Sequence, residues 1–333
     1  MQKNHFACFF IQKDKNACYI GKNYANWANH ATIEVQTDGE KTMNFTILDL
    51  EWNGTYDPKQ AKYINEIIQF GAVKGSDSFQ SIERFNQLVR PSVGKKLNET
   101  VEKLTNISAD DLKKGVSFLN AFQSFCHWFG QNDILMTWGS CDIRALIENY
   151  KIHTSRIDLP FKCRYLDLQA YCQKKLEQPL SKQLGLSAAA DMLRIDYTQM
   201  ELHQALDDSI LALRCLEKLY DPQQIEQMAV AVNHAFFEKM IFKTTMLTDL
   251  QNPLVDQTQM FFRCPDCNKR MKRITKWAIK NKQFYARFHC SRCGKLYQGR
   301  VQFKLKYEGV SVRKALTPYI EPEETEAEAG EEN

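Results

Sequence analysis

The stretch Phe45-Thr46-Ile47-Leu48-Asp49-Leu50-Glu51 constrains the fold more than any other part of the chain. Its leading residues are apolar or β-branched, which suits a buried strand. Asp49 and Glu51 follow two positions apart, and a strand sends side chains two apart out of the same face. Two carboxylates at the end of an apolar strand repel each other and hold on to their protons unless a cation lies between them. Hard oxygen ligands of this kind suit Mg²⁺ or Mn²⁺. A plainer alternative has Asp49 end the strand, with Glu51 solvated in a turn that Asn53-Gly54 favours. The rest of the chain weighs against it.

From Phe45 to about Leu219 strand and helix patterns alternate. Residues 67–73 read as a second strand, 85–91 as a third that Pro91 ends, 134–138 as a fourth and 165–168 as a short fifth. Residues 119–129 carry apolar side chains at helical spacing, 142–150 form another helix, and a third runs from about His203 to Tyr220, where Asp221-Pro222 stops it. The pattern predicts an α/β fold with a mixed five-stranded sheet flanked by helices over 43–220. Residues 221–260, including Ile225–Val232, read as a helical connector. A small β ribbon spans 261–310, and an acidic, disordered tail spans 321–333. Residues 1–42 lack sustained periodicity and form an extension of uncertain status. Met43, just before the key strand, is one candidate for the native start, which an intact mass including residues 1–42 would contradict; the alternative is a small, poorly ordered extension.

No run reaches the ~18 apolar residues a membrane span needs, and the N-terminal apolar stretch is too short for a signal-peptide core. A cytoplasmic location is expected. Four of the eleven cysteines form two Cys-x-x-Cys pairs; the other seven are scattered and read as reduced thiols, with Cys141 expected to pack rather than react. The net charge of +4 conceals an asymmetry. Residues 263–306 hold fourteen Lys or Arg and one acid, Asp266, whereas 321–333 hold seven Glu and no base. If that tail competes for the cationic stretch, deleting it should tighten nonspecific nucleic-acid binding.

Asp142 heads a helix, where Asp is most often an N-cap. His203 precedes Asp208 by five residues at the start of another. Taken in order, Asp49-x-Glu51, Asp142, His203 and Asp208 resemble the three-motif pattern of DEDDh 3′–5′ exonucleases of the ribonuclease H-like superfamily. Glu66–Val73 resembles that family's second-strand signature, with Gln69 where Glu is more usual. Leu104-Thr105-Asn106-Ile107-Ser108 resembles the loop near the substrate's 3′ end, with Asn106 in place of glycine. Trp138-Gly139-x-x-Asp142 and Leu206-Asp207-Asp208 resemble the branch that trims histone mRNA and small RNAs. The resemblance spans about 43–220 and implies two Mg²⁺ or Mn²⁺ ions. Asp49, Glu51 and Asp208 would hold one, Asp49 would bridge to the second, and Asp142 would support the second through water. His203 would act as general base, and the family spacing selects Asp208 over Asp207. It also implies nucleotide contacts around Trp52, Leu104, Thr105 and Trp138. The chemistry independently wants such residues, because phosphodiester hydrolysis needs charge stabilised on both attacking and leaving oxygens. An imidazole with a near-neutral pKa can take the proton of the attacking water. Asp167 reads as a helix cap.

Cys264-x-x-Cys267 and Cys290-x-x-Cys293, 22 residues apart, have zinc-ribbon spacing and would close a tetrahedral structural Zn²⁺ site. Gly294 allows the knuckle turn, and Asn281-Lys282 turns a hairpin between the pairs. Lysines and arginines such as Lys272 and Arg273 are interleaved with aromatics such as Trp277 and Tyr285, a composition that suits single-stranded nucleic acid. The sequence therefore reads as a 3′–5′ exonuclease acting on single strands, RNA favoured over DNA by the resemblance alone. The alternatives are a nucleic-acid-binding regulator with an inactive nuclease fold, a 3′–5′ exodeoxyribonuclease, or a ribbon that docks a protein.

Overall fold

The structure, a computed structural model, describes residues 42–94, 96–130, 133–179 and 181–320. The expectations for the acidic tail and for residues before Thr42 fall outside these.

β1 (Asn44–Asp57) and β2 (Lys62–Ser76) form a long antiparallel hairpin. β3 (Glu83–Leu88) extends it on one edge. α1 (Glu99–Thr105), α2 (Ala109–Lys114) and α3 (Phe118–Trp128) lead to β4 (Ile134–Thr137), which lies parallel to β1. α4 (Cys141–Thr154) returns the chain to β5 (Arg164–Asp167), parallel to β4. α5 (Leu168–Lys175), α6 (Leu186–Met192), α7 (Ala205–Leu219) and α8 (Pro222–Met228) follow, then β6 (Val230–Ala231) and α9 (His234–Ile241). The sheet order is β3-β2-β1-β4-β5-β6. The expected five strands thus gain a short sixth. Residues 230–231, expected as helix, instead pair with β5, since the helix stops at Met228 and Val230 is β-branched.

Strand alternation gives the sheet two apolar faces. Leu48, Leu50, Phe70 and Ala72 pack under α3, α4 and α9; Phe45, Ile47 and Val73 pack under α5, α6, α7 and α8. Asn53-Gly54 does not turn the chain: β1 runs through it, and the Asn53 side chain instead donates to the Lys96 carbonyl and accepts from the Asn98 amide, both at 3.0 Å. Asp167 caps α5 through the Ala170 amide, as expected. Cys141, the first residue of α4, is exposed rather than packed.

The C-terminal module reaches beyond 261–310 on both sides. β7 (Thr245–Leu247), β8 (Lys272–Arg273), β9 (Ala278–Lys280), β10 (Gln283–His289), β11 (Leu296–Lys306) and β12 (Gly309–Pro318) form one antiparallel sheet. Leu247, Val255 and Met260, from the stretch expected to be connector, join Phe284, Phe288 and Phe303 in its core. Asn281 and Lys282 both have positive φ (49° and 57°) and turn β9 into β10, the geometry of a tight hairpin. α9 holds the module to the body. Its Phe236 and Phe237 lie in the body core, Lys239 pairs with Glu308 at 2.7 Å, and Glu238 accepts from the Tyr307 hydroxyl at 3.0 Å.

Candidate active site

Phe45, Ile47, Asp49 and Glu51 leave β1 on the face that α7 covers, so the two acids sit where an apolar row runs out. α7 comes unusually close. A Cβ on Gly71, the β2 partner of Asp49, would lie 2.1 Å from the Ala205 carbonyl carbon and 2.2 Å from the Leu206 amide. Only glycine lets the first turn of α7 rest on the strand. Ser209 Oγ donates to the Gly71 carbonyl at 2.9 Å, and Gln69 Oε1 accepts from the Ala205 amide at 3.3 Å. This seat delivers Asp208: one oxygen each of Asp49, Glu51 and Asp208 lie within 4.8 Å of one another, close enough to share an ion.

Asp142 arrives from the opposite layer. It lies in the first turn of α4, not at the cap, is 5 % exposed, and accepts from the Leu50 amide at 3.1 Å. The turn before it is fixed by Tyr165, whose hydroxyl donates to the Gly139 carbonyl at 3.0 Å. His203 lies outside α7, in an exposed turn two residues before it, with φ of 65°. Its backbone N–H and imidazole favour the charged form of Asp208. Asp207 accepts from the Glu201 amide at 2.8 Å and so closes the same turn.

The electrostatics are those of an acid cluster awaiting a cation. Burial, then Asp142, Asp208 and Glu51, hold the Asp49 carboxyl well above the usual carboxylate range. Burial, then Asp208 and Asp142, push Glu51 up to about 8. Burial pushes Asp142 to about 7 against the opposing Leu50 N–H. Burial also raises Asp208. A divalent ion among these oxygens removes the repulsion, and the oxygen-only donor set fits a hard cation.

The residues expected to touch nucleotide are placed unevenly. Leu104 is half exposed at the end of α1, whereas Thr105 is buried and its hydroxyl donates to the Val101 carbonyl. Asn106 takes φ of 55°, a left-handed cap that glycine or asparagine adopts, so its departure from glycine is accommodated. Trp52, after a β-bulge, packs partly into the core; Trp138 gives its indole N–H to the Leu184 carbonyl at 3.0 Å. Sequence reasoning missed Gln204. Its side-chain amide donates to the Thr105 carbonyl and its oxygen lies 3.4 Å from Gln69 Nε2, linking the His203 turn to the end of α1. A lone glutamine beside His203 carries no motif of its own.

Cys264, Cys267, Cys290 and Cys293 converge with their sulfurs within 4.8 Å, and the Cys267 and Cys290 sulfurs are 3.5 Å apart. Four thiolates on one zinc-sized ion at ~2.3 Å would stand about 3.8 Å apart. The two knuckles repeat each other: the Cys264 carbonyl accepts from the Asn268 amide at 2.9 Å, and the Cys290 carbonyl from the Gly294 amide at 2.8 Å. Gly294 (φ 70°) and Asn268 (φ 57°) supply the same left-handed turn. The Cys293 backbone N–H, with that of Arg292, pulls the Cys290 thiol down to about 6. Of the ribbon residues expected to bind nucleic acid, Lys272 and Tyr285 share one face of the sheet. Arg273 lies opposite Phe288, on the other face, with its guanidinium 5.5 Å from the ring centre of Trp277, which packs against Phe288.

A mixed sheet that gathers Asp49, Glu51 and Asp208, with Asp142 beside them, offers the oxygen ligands that a metal-dependent phosphodiesterase needs. The family model described as "Exonuclease" (RNase T) matches residues 46–216, just over half of the chain. The chain belongs to this exonuclease family. It is 27 % identical over 192 residues to the probable 3′-5′ exonuclease KapD of Bacillus subtilis, covering 56 % of this chain and 89 % of that protein. It is 27 % identical over 158 residues to 3′-5′ exoribonuclease 1 of Rattus norvegicus, covering 45 % of each. The chain therefore spans under half the length of that second relative. The crystallographic nuclease domain of 3′hExo, a DEDDh family member bound to rAMP, covers 54 % of this chain at 22 % identity, with a TM-score of 0.47. Among the described residues no helix is long and apolar enough to cross a membrane.

Proposed function

We propose that this exonuclease removes nucleotides one at a time from the 3′ end of single-stranded RNA. The observation that carries the reading is the convergence of Asp49, Glu51 and Asp208 from two elements onto a point within 4.8 Å, with Asp142 coupled to it from a third. Two Mg²⁺ or Mn²⁺ ions, held by Asp49, Glu51, Asp142 and Asp208, would polarise the scissile phosphate and stabilise charge on the attacking and leaving oxygens. His203, exposed to solvent beside the acids, takes the proton from the attacking water as general base. Gln204 holds the His203 turn against the end of α1, so the base and the wall nearest the terminal nucleotide keep a fixed separation.

The polarity and the preference for RNA draw on the similarity to a probable 3′-5′ exonuclease and a 3′-5′ exoribonuclease. The four cysteines hold one structural Zn²⁺, and the cationic ribbon adds phosphate contacts. A reducing, cytoplasmic compartment suits the buried free thiols of Cys172 and Cys215, which share one core. The test is competition between 5′-labelled RNA and DNA of the same sequence with Mg²⁺. RNA should shorten from its 3′ end first; equal or faster loss of DNA would overturn the RNA preference, and cleavage from the labelled end would overturn the polarity.

A further inference from the structure

We infer that the solvent-facing side of the C-terminal sheet is a track for single-stranded nucleic acid, with cations for phosphates and Tyr285 as a platform for one base. The choice of polymer rests on the nuclease reading; the surface itself does not. β10, and β11 as far as Phe303, alternate between buried and outward side chains, with Phe284, Ala286, Phe288, Tyr297, Val301 and Phe303 turned inward. The register fixes what faces out. Tyr285 lies opposite Arg300, Arg287 opposite Gln298, Lys272 opposite His289, Lys280 opposite Gln283, and Arg313 opposite Gln302, with Lys304 next outward along β11. Six cations thus share one face, and no outward position of these paired strands holds an acid.

An ordinary solvated sheet face mixes charges of both signs. Here Asp266, the one acid of residues 263–306, is held elsewhere, by Lys295 at 3.0 Å and the Tyr297 hydroxyl at 2.9 Å beside the thiols. None of the six cations makes an ion pair among the described residues. Arg287 is already posed, its guanidinium 4.1 Å from the Tyr319 ring centre. Outward side chains on one strand recur about every 7 Å, a stride similar to that between phosphates of a stretched single strand. A ring flanked by cations on one face offers both stacking and phosphate contacts, the combination that sequence-tolerant single-strand binders use. α9 ties this sheet to the nuclease body, so a strand on the track is held on the same molecule as the acid cluster.

The test measures binding of a labelled oligouridylate as a function of salt, in full-length protein carrying Asp49→Asn to prevent turnover. Arg300→Ala/Lys304→Ala/Arg313→Ala should weaken binding about tenfold or more and reduce the salt slope by about two, at ~0.7 per lost phosphate contact. Lys59→Ala/Lys162→Ala/Lys218→Ala, which removes the same charge from exposed positions of the body, should leave the slope unchanged. An unchanged slope in the ribbon triple, or an equal fall in the body triple, would overturn the track. So would tighter binding of polyglutamate than of the oligonucleotide, which would assign the face to an acidic protein. Should the ribbon triple lose its zinc, Arg313→Gln alone must still lower the slope. A wild-type protein that shortens no strand, with the slope behaving as expected, would sink the nuclease reading and leave the track standing.

Discussion

The nuclease body and the C-terminal ribbon both gather side chains able to hold a metal, yet they rest on very different apolar support. In the body, Asp49, Glu51, Asp142 and Asp208 are forced together by a framework that has two large apolar clusters of its own. Those clusters do not involve the ion, and the repulsion among the acids is concentrated at the site. In the ribbon, one modest cluster built around Phe284, Phe288 and Phe303 is all the apolar support, and the thiols complete the architecture. A metal at the acid cluster would relieve the repulsion of a scaffold with its own core, whereas a metal at the thiols would complete a small scaffold's folding.

The contrast is broken or sharpened most strongly at Asp208. Asp208→Ala should cut turnover by about 10³-fold or more, since Lewis-acid stabilisation of several kcal/mol is lost and 1.36 kcal/mol is tenfold. Its melting temperature without metal should stay level or rise, because one repelling carboxylate is gone; a collapse of the fold on calorimetry would contradict the account. Cys290→Ser should do the reverse. The ribbon should lose its zinc and its protease resistance, while the body keeps its own melting transition. A smaller effect is expected at Gly71, where Gly71→Ala drives a Cβ into the start of α7. Overpacking of that kind costs about 1–3 kcal/mol, and denaturant unfolding should show it together with a fall in kcat, since His203 and Asp208 ride on the displaced turn.

The smallest effect concerns pH. Glu51 at about 8 and Asp142 at about 7 bind protons more tightly folded than unfolded, so their contribution is full in acid and is lost as pH rises through those values. The metal-free body should therefore melt lower at pH 8 than at about pH 6, and Mg²⁺, which favours the charged carboxylates, should raise the melting temperature more at pH 8. A Mg²⁺ effect independent of pH would contradict it.

Much of the body was legible because its signals are apolar and periodic: the five strands, α3, α4 and α7 carry them, and the acids follow in a fixed order. α1 and α2 were not. They are seven and six residues long, and their ends are set by the Asn98 cap and the Ser108–Asp111 capping box rather than by an apolar stripe. His203 was expected on a helix, but the left-handed turn that holds it comes from α7 settling on Gly71 and from Asp207 closing back on Glu201, long-range and local contacts that spacing does not record. In the ribbon the charge was visible and its direction was not. Which cations share a face depends on the pairing of β10 with β11 and of β11 with β12, and β12 runs past the expected boundary and brings Arg313.

The most direct measurement is the digestion of 5′-labelled single-stranded RNA by wild-type protein and by Asp49→Ala, with Mg²⁺ or with a chelator. The account predicts a ladder shortening from the 3′ end only for the wild type with Mg²⁺. A ladder from Asp49→Ala, or one that persists in the chelator, would show that the acid cluster on β1 and α7 is not where the bond is cut.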